Sequence, residues 1–257
     1  METDFFKIIG EEENPSHLFI GGLHGKEGLS TINAIRTIEN ADLKKGSLVL
    51  CNMPASPYLS TLDPLYYLSL AGKKVIDLIR EYTPEIYLEL HCYHQDKKSK
   101  LTDSDRMEVS GVPGLVELEE GVLIGSTSPL IRSVFFKLYD FPFILEMPCN
   151  PPSKSLEVCY KIMEIASKSS NRLEIMEKIG EVYPQQVERL MNYFDDFSHN
   201  FWPAFQEVKK KTQKIDLNGY DELDELTRRV VEEGGYDLNQ AQIKQLSQVY
   251  VIFQEYG

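Results

Sequence analysis

The sequence predicts an α/β fold: a mixed, largely parallel central sheet flanked by helices, followed by an all-helical C-terminal extension. Three observations carry this. Near-continuous apolar runs recur through the first 150 residues, longer segments of helical period separate them, and strand-like runs stop at about residue 169. A strand covered on both faces must be apolar throughout, and its alternation with helical segments is the pattern of parallel crossovers.

In chain order, the strands are HLFIGGL (His17–Leu23), SLVLCNM (Ser47–Met53), IYLEL (Ile86–Leu90) and FILEM (Phe143–Met147). Leu29–Ala41 and Pro64–Tyr82 carry apolar residues at intervals of three and four and supply crossover helices, Asp63 capping the second ahead of a first-turn proline. The polar run Asp96–Asp105 reads as a loop, and Met107–Ile124, broken by Gly111, Pro113, Gly114 and Gly121, as a β-hairpin. Ser128 and Pro129 open a short helix through about Leu138. Segments 172–196, 202–212, 219–233 and 238–254 read as helices, mostly amphipathic. The chain therefore divides into an α/β domain, residues 1–168, and a helical extension, residues 169–257.

Composition narrows the partners. A chain of 257 residues buries roughly 70% or more of its unfolded surface and needs no disulfide staples. The cysteines at 51, 92, 149 and 159 lack CxxC spacing, so reduced thiols and a cytoplasmic location are expected. No run approaches about 18 apolar residues, and METDFFKIIGEEENP is acidic where a signal peptide is basic and then apolar, so neither export nor membrane insertion is expected. With 27 Lys+Arg against 40 Asp+Glu the net charge is −13, a field that disfavours nucleic acid and anionic membranes. From Asn171 onward, sixteen acidic residues face ten basic ones, the mark of solvated helix surfaces.

The chemistry concentrates at strand ends. In FIGGLHGKEG an apolar strand runs into glycines and presents His24 and Glu27 from one turn, so an imidazole nitrogen and a carboxylate can reach one ion. In YLELHCYH, His91 follows the third strand, and the carboxyl ends of parallel strands share an edge, so it can join them. His94 is the rival ligand, farther along the loop. A His₂Glu set with an open fourth position is a catalytic zinc arrangement, here one Zn²⁺ per chain. Glu146 in FPFILEMP is a lone carboxylate in an apolar strand, suited to carrying protons beside such an ion.

Taken together, these motifs resemble the zinc carboxypeptidase clan, in particular its succinylglutamate desuccinylase and aspartoacylase branch. GGLHGKEG is similar to that branch's zinc motif, Glu89-Leu90-His91 to its third-ligand segment, and FILEM to the strand bearing its general base. LCNMPAS resembles a strand ending in Asn-Pro-x-Ala, with Asn52 as the matching residue. The resemblance covers about residues 17–150 and implies the clan's fold, a bound zinc on His24, Glu27 and His91, and Glu146 as general base. The whole resembles an uncharacterised archaeal branch of the clan, and several features depart from the deacylases. Lys26 stands where the motif has Asn, the helical tail replaces a β-rich domain, and no Arg occurs between Arg36 and Arg80 to clamp a substrate carboxylate. Lys26, Arg106 or Arg132 could substitute, or serve as surface charges, and Tyr139 either matches a tyrosine that faces the oxyanion in the family or packs as an ordinary amphipathic aromatic.

The expected function is a cytoplasmic metallo-hydrolase, carboxypeptidase- or deacylase-like, that cleaves an amide in a small molecule or peptide. Asn52, Lys26, Tyr139 and Arg132 are the candidate substrate contacts. The net charge and the missing clamp favour neutral or cationic amides. The alternative is an inactive or metal-retaining protein on the same fold that binds a small molecule or a partner.

Overall fold

The computed structural model describes residues 3–11, 16–43, 46–213 and 219–257. Its strands are β1 (Phe5–Gly10), β2 (Ser16–Gly21), β3 (Ser47–Asn52), β4 (Ile86–Tyr93), β5 (Val116–Glu117), β6 (Leu123–Ser126) and β7 (Phe141–Pro148). They form one mixed sheet in the order β1-β3-β2-β4-β7-β6-β5. The four central strands, β3, β2, β4 and β7, are parallel, and β1, β6 and β5 add antiparallel edges. Strand β1 lies outside the expected set. Its alternating FFKIIG leaves Phe6 and Ile8 exposed, a weaker signal than a continuous apolar run.

The helices are α1 (Gly28–Thr37), α2 (Pro64–Leu68), α3 (Leu70–Tyr82), α4 (Lys98–Thr102), α5 (Arg106–Ser110) and α6 (Pro129–Phe135). After β7 follow α7 (Ser153–Ser167), α8 (Arg172–Gly180), α9 (Pro184–Asp196), α10 (Trp202–Thr212), α11 (Tyr220–Gly234) and α12 (Gln240–Tyr256). Two single expected helices are each divided. Ser69 leaves helical geometry and caps α3 by accepting from the Gly72 amide at 3.2 Å, so α2 and α3 are separate. Pro184 restarts the chain after Gly180, so 172–196 becomes α8 and α9. The polar run 96–105 is not a plain loop, since it holds a 3₁₀ turn and α4; the hairpin of Met107–Ile124 shrinks to β5 and β6, with α5 occupying its start.

Side chains alternate across the sheet because successive Cβ atoms point to opposite faces. Leu18, Ile20, Val49 and Tyr87 pack toward α2, α3, α6 and α10–α12, whereas Phe19, Leu48, Leu50 and Leu88 pack toward α1, α7 and α8. The C-terminal helices thus complete the core on one face of the sheet. Between α9 and α10, residues Phe197–Phe201 form one π-helical turn. Pro203 accounts for it: without an amide hydrogen, and with its ring against the carbonyl four residues earlier, it cannot continue α-helical bonding.

One expectation fails plainly. Cys92 and Cys149 form a disulfide, with Cα atoms 4.9 Å apart, and only Cys51 and Cys159 remain as buried free thiols. The partners are 57 positions apart in sequence, but β4 and β7 run side by side in register and the Cys149 amide donates to the Tyr93 carbonyl at 2.9 Å, which brings the two sulfurs together. Among the described residues, no helix is long and apolar enough to cross a membrane.

Candidate metal centre and cleft

From β2 the chain crosses through α1 to β3 on one side, then through α2 and α3 to β4 on the other. The connections therefore part between β2 and β4, and in open α/β sheets the carboxyl ends of strands at such a point frame a crevice. His24 and Glu27 leave β2 at that crevice and His91 lies near the end of β4.

The turn that carries His24 and Glu27 depends on close approach to β3. Gly22 adopts φ +73°, and a Cβ there would stand 2.6 Å from the Met53 carbonyl; at Gly28 it would stand 2.4 Å from the same oxygen. Asn52, fully buried, braces the turn: it accepts from Thr31 Oγ1 at 2.6 Å and donates to the Gly28 carbonyl at 3.2 Å. Tyr66 donates its hydroxyl to the Leu23 carbonyl at 3.0 Å. The glycine spacing that reads as a tight turn is thus the contact surface between loop and strand.

His91 Nδ1 lies 3.3 Å and His24 Nδ1 3.6 Å from the same Glu27 oxygen, Oε2, and the three candidate ligand atoms all fall within 4.8 Å of one another. Ligand atoms around a tetrahedral ion with bonds of about 2.0–2.1 Å are about 3.3 Å apart, so the set has the size of a metal site. His24 Nδ1 is buried and has no hydrogen-bond partner. Burial, reinforced by His91 and opposed by Glu27, pulls the His24 pKa down to about 4, which keeps a lone pair available at neutral pH. Burial works against a charged His91 too, but Glu27 and Glu89 outweigh it and hold its pKa well above the ordinary value.

Glu89 belongs to the same cluster, and the sequence motifs assign it no role of its own. Its Oε2 lies 3.3 Å from His91 Nε2, and its Oε1 accepts from the Tyr87 hydroxyl at 2.9 Å. A carboxylate on the far nitrogen of a ligand histidine fixes the ring and its tautomer. The signal is present in IYLEL, a buried strand interrupted by one acid. Tyr58, whose ring stands edge-on to His24 with centroids 4.7 Å apart, has no comparable signal.

Glu146 is the neighbour of His91 in the β4–β7 ladder and lines the same cleft. Burial raises its pKa to about 7, with Glu27 adding to the rise and His91 and Arg106 opposing it. The cleft has a volume of about 370 Å³ and runs from this acidic cluster to Arg132. His94 is exposed at its wall and outside the ligand set. Of the expected substrate contacts, Arg132 lines the cleft; Lys26 is exposed elsewhere, Asn52 is committed to the turn, and Tyr139 is 73% exposed beside Phe194. Arg172, 7% exposed, also lines the cleft and falls outside the expected contacts, because nothing in its surroundings on α8 marks it.

Comparison with known proteins places the chain elsewhere than the motifs suggest. Residues 12–199 match a family described as an uncharacterized protein conserved in archaea (DUF2119), a span that includes His24, Glu27, Glu89, His91, Arg132, Glu146 and Arg172. Over 195 residues the chain is 38% identical to Uncharacterized protein MJ0501 of Methanocaldococcus jannaschii, covering 74% of this chain and 92% of that one. No solved structure matches. The expected membership of the zinc carboxypeptidase clan and its desuccinylase and aspartoacylase branch is therefore corrected: the matching family is a different one, and short strand-end motifs report which side chains meet, not descent. The archaeal part of that expectation holds, and the chain belongs to this archaeal family.

Proposed function

We propose that the protein is a zinc-dependent hydrolase of an amide bond in a small molecule or peptide. The observation that carries the reading is the buried, unpartnered His24 Nδ1, which faces the same Glu27 oxygen as His91 Nδ1 at tetrahedral spacing. A buried nitrogen lone pair without a donor is costly, and a cation shared with Glu27 and His91 satisfies it while neutralising a crowded acidic site. Two imidazoles and one carboxylate suit Zn²⁺, and a zinc ion there would polarise the amide carbonyl and acidify a water.

The chain's own residues then have distinct roles. Glu89 holds the His91 ring. Glu146, half-buried with a pKa near 7, takes a proton from the attacking water and delivers it to the amine nitrogen as the C–N bond breaks. Nothing covalent is required, and the nearest cysteine, Cys92, is tied up in the disulfide.

The test is metal content by mass spectrometry on protein purified without added metal, followed by turnover on a panel of amides. The expected result is about one zinc per chain in wild type and little in His24→Ala. Wild type carrying less than a few tenths of a zinc per chain overturns the reading.

A further inference from the structure

The end of the cleft away from the acidic cluster holds two buried cations with no carboxylate in ion-pair contact among the described residues; Asp140 and Asp195 act on them only at longer range, and Asp196 lines the same cleft. Arg132, in α6, and Arg172, the first residue of α8, are each 7% exposed, and among the described residues neither forms an ion pair. The chain has 40 acidic residues against 27 basic, so carboxylates are plentiful elsewhere. Both guanidinium groups instead lie against one aromatic ring: the central carbon is 3.1 Å from the Phe194 centroid for Arg172 and 5.7 Å for Arg132, with Phe197 4.5 Å from Arg132. Their polar contacts are few. Arg132 Nη1 donates to Ser126 Oγ at 3.0 Å and the Pro142 carbonyl at 3.4 Å, and among the described residues Arg172 Nη2 reaches only the thioether of Met191.

Three further features belong to the same place. Thr127, beside Ser126, lines the cleft with a buried hydroxyl that has no partner. Phe197 and Phe201 of the π-helical turn also line it, and π turns accompany functional sites more often than chance requires. Burial pulls Arg132 down to about 9, the neighbouring Arg172 adding to the effect, and Arg172 down to about 10. Removing a buried charge's partner leaves a heavy desolvation cost, so a site that holds two unpaired cations is one that a ligand completes.

We infer that Arg132 and Arg172, with Thr127, form an oxyanion-binding subsite for a ligand that carries a carboxylate or phosphate on an apolar body. The planar guanidinium fork supplies paired donors to either group, and the adjoining wall of Phe194, Phe197, Phe201 and Met176 accepts the body. The subsite stands without the hydrolase reading; only its assignment as the anchor of a hydrolysed substrate rests on it. It also favours an anionic substrate group over the neutral or cationic amide that the net charge suggests, because two buried arginines line this end of the cleft.

The experiment is calorimetric titration of the full chain with inorganic phosphate, phenyl phosphate and 3-phenylpropanoate, in wild type, His24→Ala, Arg132→Met and Arg172→Met. Wild type and His24→Ala bind phenyl phosphate or 3-phenylpropanoate alike, more tightly than inorganic phosphate, and each Arg→Met variant weakens binding by at least about tenfold. Whichever probe binds more tightly identifies the group. Melting without ligand separates this from a structural role: the Met variants retain or gain melting temperature, since an unpaired buried charge has been removed. The inference is overturned if no probe saturates wild type at millimolar concentration, if binding survives both Met variants, or if His24→Ala abolishes it, which would place the probe on the acidic cluster.

Discussion

At one end of the cleft, His24, Glu27, His91 and Glu146 come from the carboxyl ends of three adjacent parallel strands, β2, β4 and β7; at the other, Arg132 and Arg172 come from helices on opposite faces of the sheet and meet on the ring of Phe194. The first end gathers carboxylates and imidazoles at the spacing of a metal site. The second holds two arginines that, among the described residues, form no ion pair. Site geometry is encoded in two ways: strand ends bring a motif's side chains together by local rules, whereas the arginine end exists only after α6, α8 and α9 have packed.

The most severe loss separates the ends by chemistry. Glu146→Gln lowers kcat on a cleaved amide by about 10²–10⁴-fold while zinc content stays at the wild-type level, measured by steady-state kinetics beside metal analysis. Equal turnover would remove Glu146 from proton transfer. Next in size is the disulfide, which staples only the strand-built end. Cys149→Ser is expected to cost about 2–4 kcal/mol in denaturant unfolding, and to weaken zinc retention more than phenyl phosphate binding. A comparable loss of both would show that the two ends behave as one unit. Smaller again, Glu89→Gln frees the His91 ring and weakens zinc affinity about 10–100-fold by competition with a chelator, with no change at the arginine end.

The same contrast explains what can be read from the chain. The four central strands and the ligand set are legible because each is a short continuous pattern: an apolar run, glycines, then His24 and Glu27; an apolar run, then His91. Their convergence follows from the shared edge of a parallel sheet. The Cys92–Cys149 bond is not legible, since it depends on β4 lying next to β7, and strand order is not written in any one segment. Asn52 sits beside the turn as its motif implies, and its amide braces that turn, accepting from Thr31 and donating to Gly28. Arg172 is invisible in sequence because a basic residue opening an amphipathic helix normally faces water, and only the packing of Phe194 over it shows otherwise. The motifs also mislead about kinship, since the same strand-end grammar serves chains of a different family.

The smallest effect concerns pH, and the two ends should respond with opposite sign. Glu146 has its pKa raised from 4.5 to about 7 in the folded protein, chiefly by burial. Between those values the native state holds a proton that the unfolded chain has released, so this group's contribution to stability falls as pH rises through the window. Arg132 and Arg172 are depressed instead, to about 9 and about 10, and their desolvation cost is fully present at neutral pH and relieved only as pH rises past those values. Melting of chelator-treated protein from pH 4.5 to 7.5 should therefore show wild type losing more stability than Glu146→Gln with rising pH, while Arg172→Met parallels wild type across the same range. Parallel curves for wild type and Glu146→Gln would mean that the carboxylate is already compensated without a metal, and the electrostatic case for a cation at the strand-built end would lose its support from Glu146.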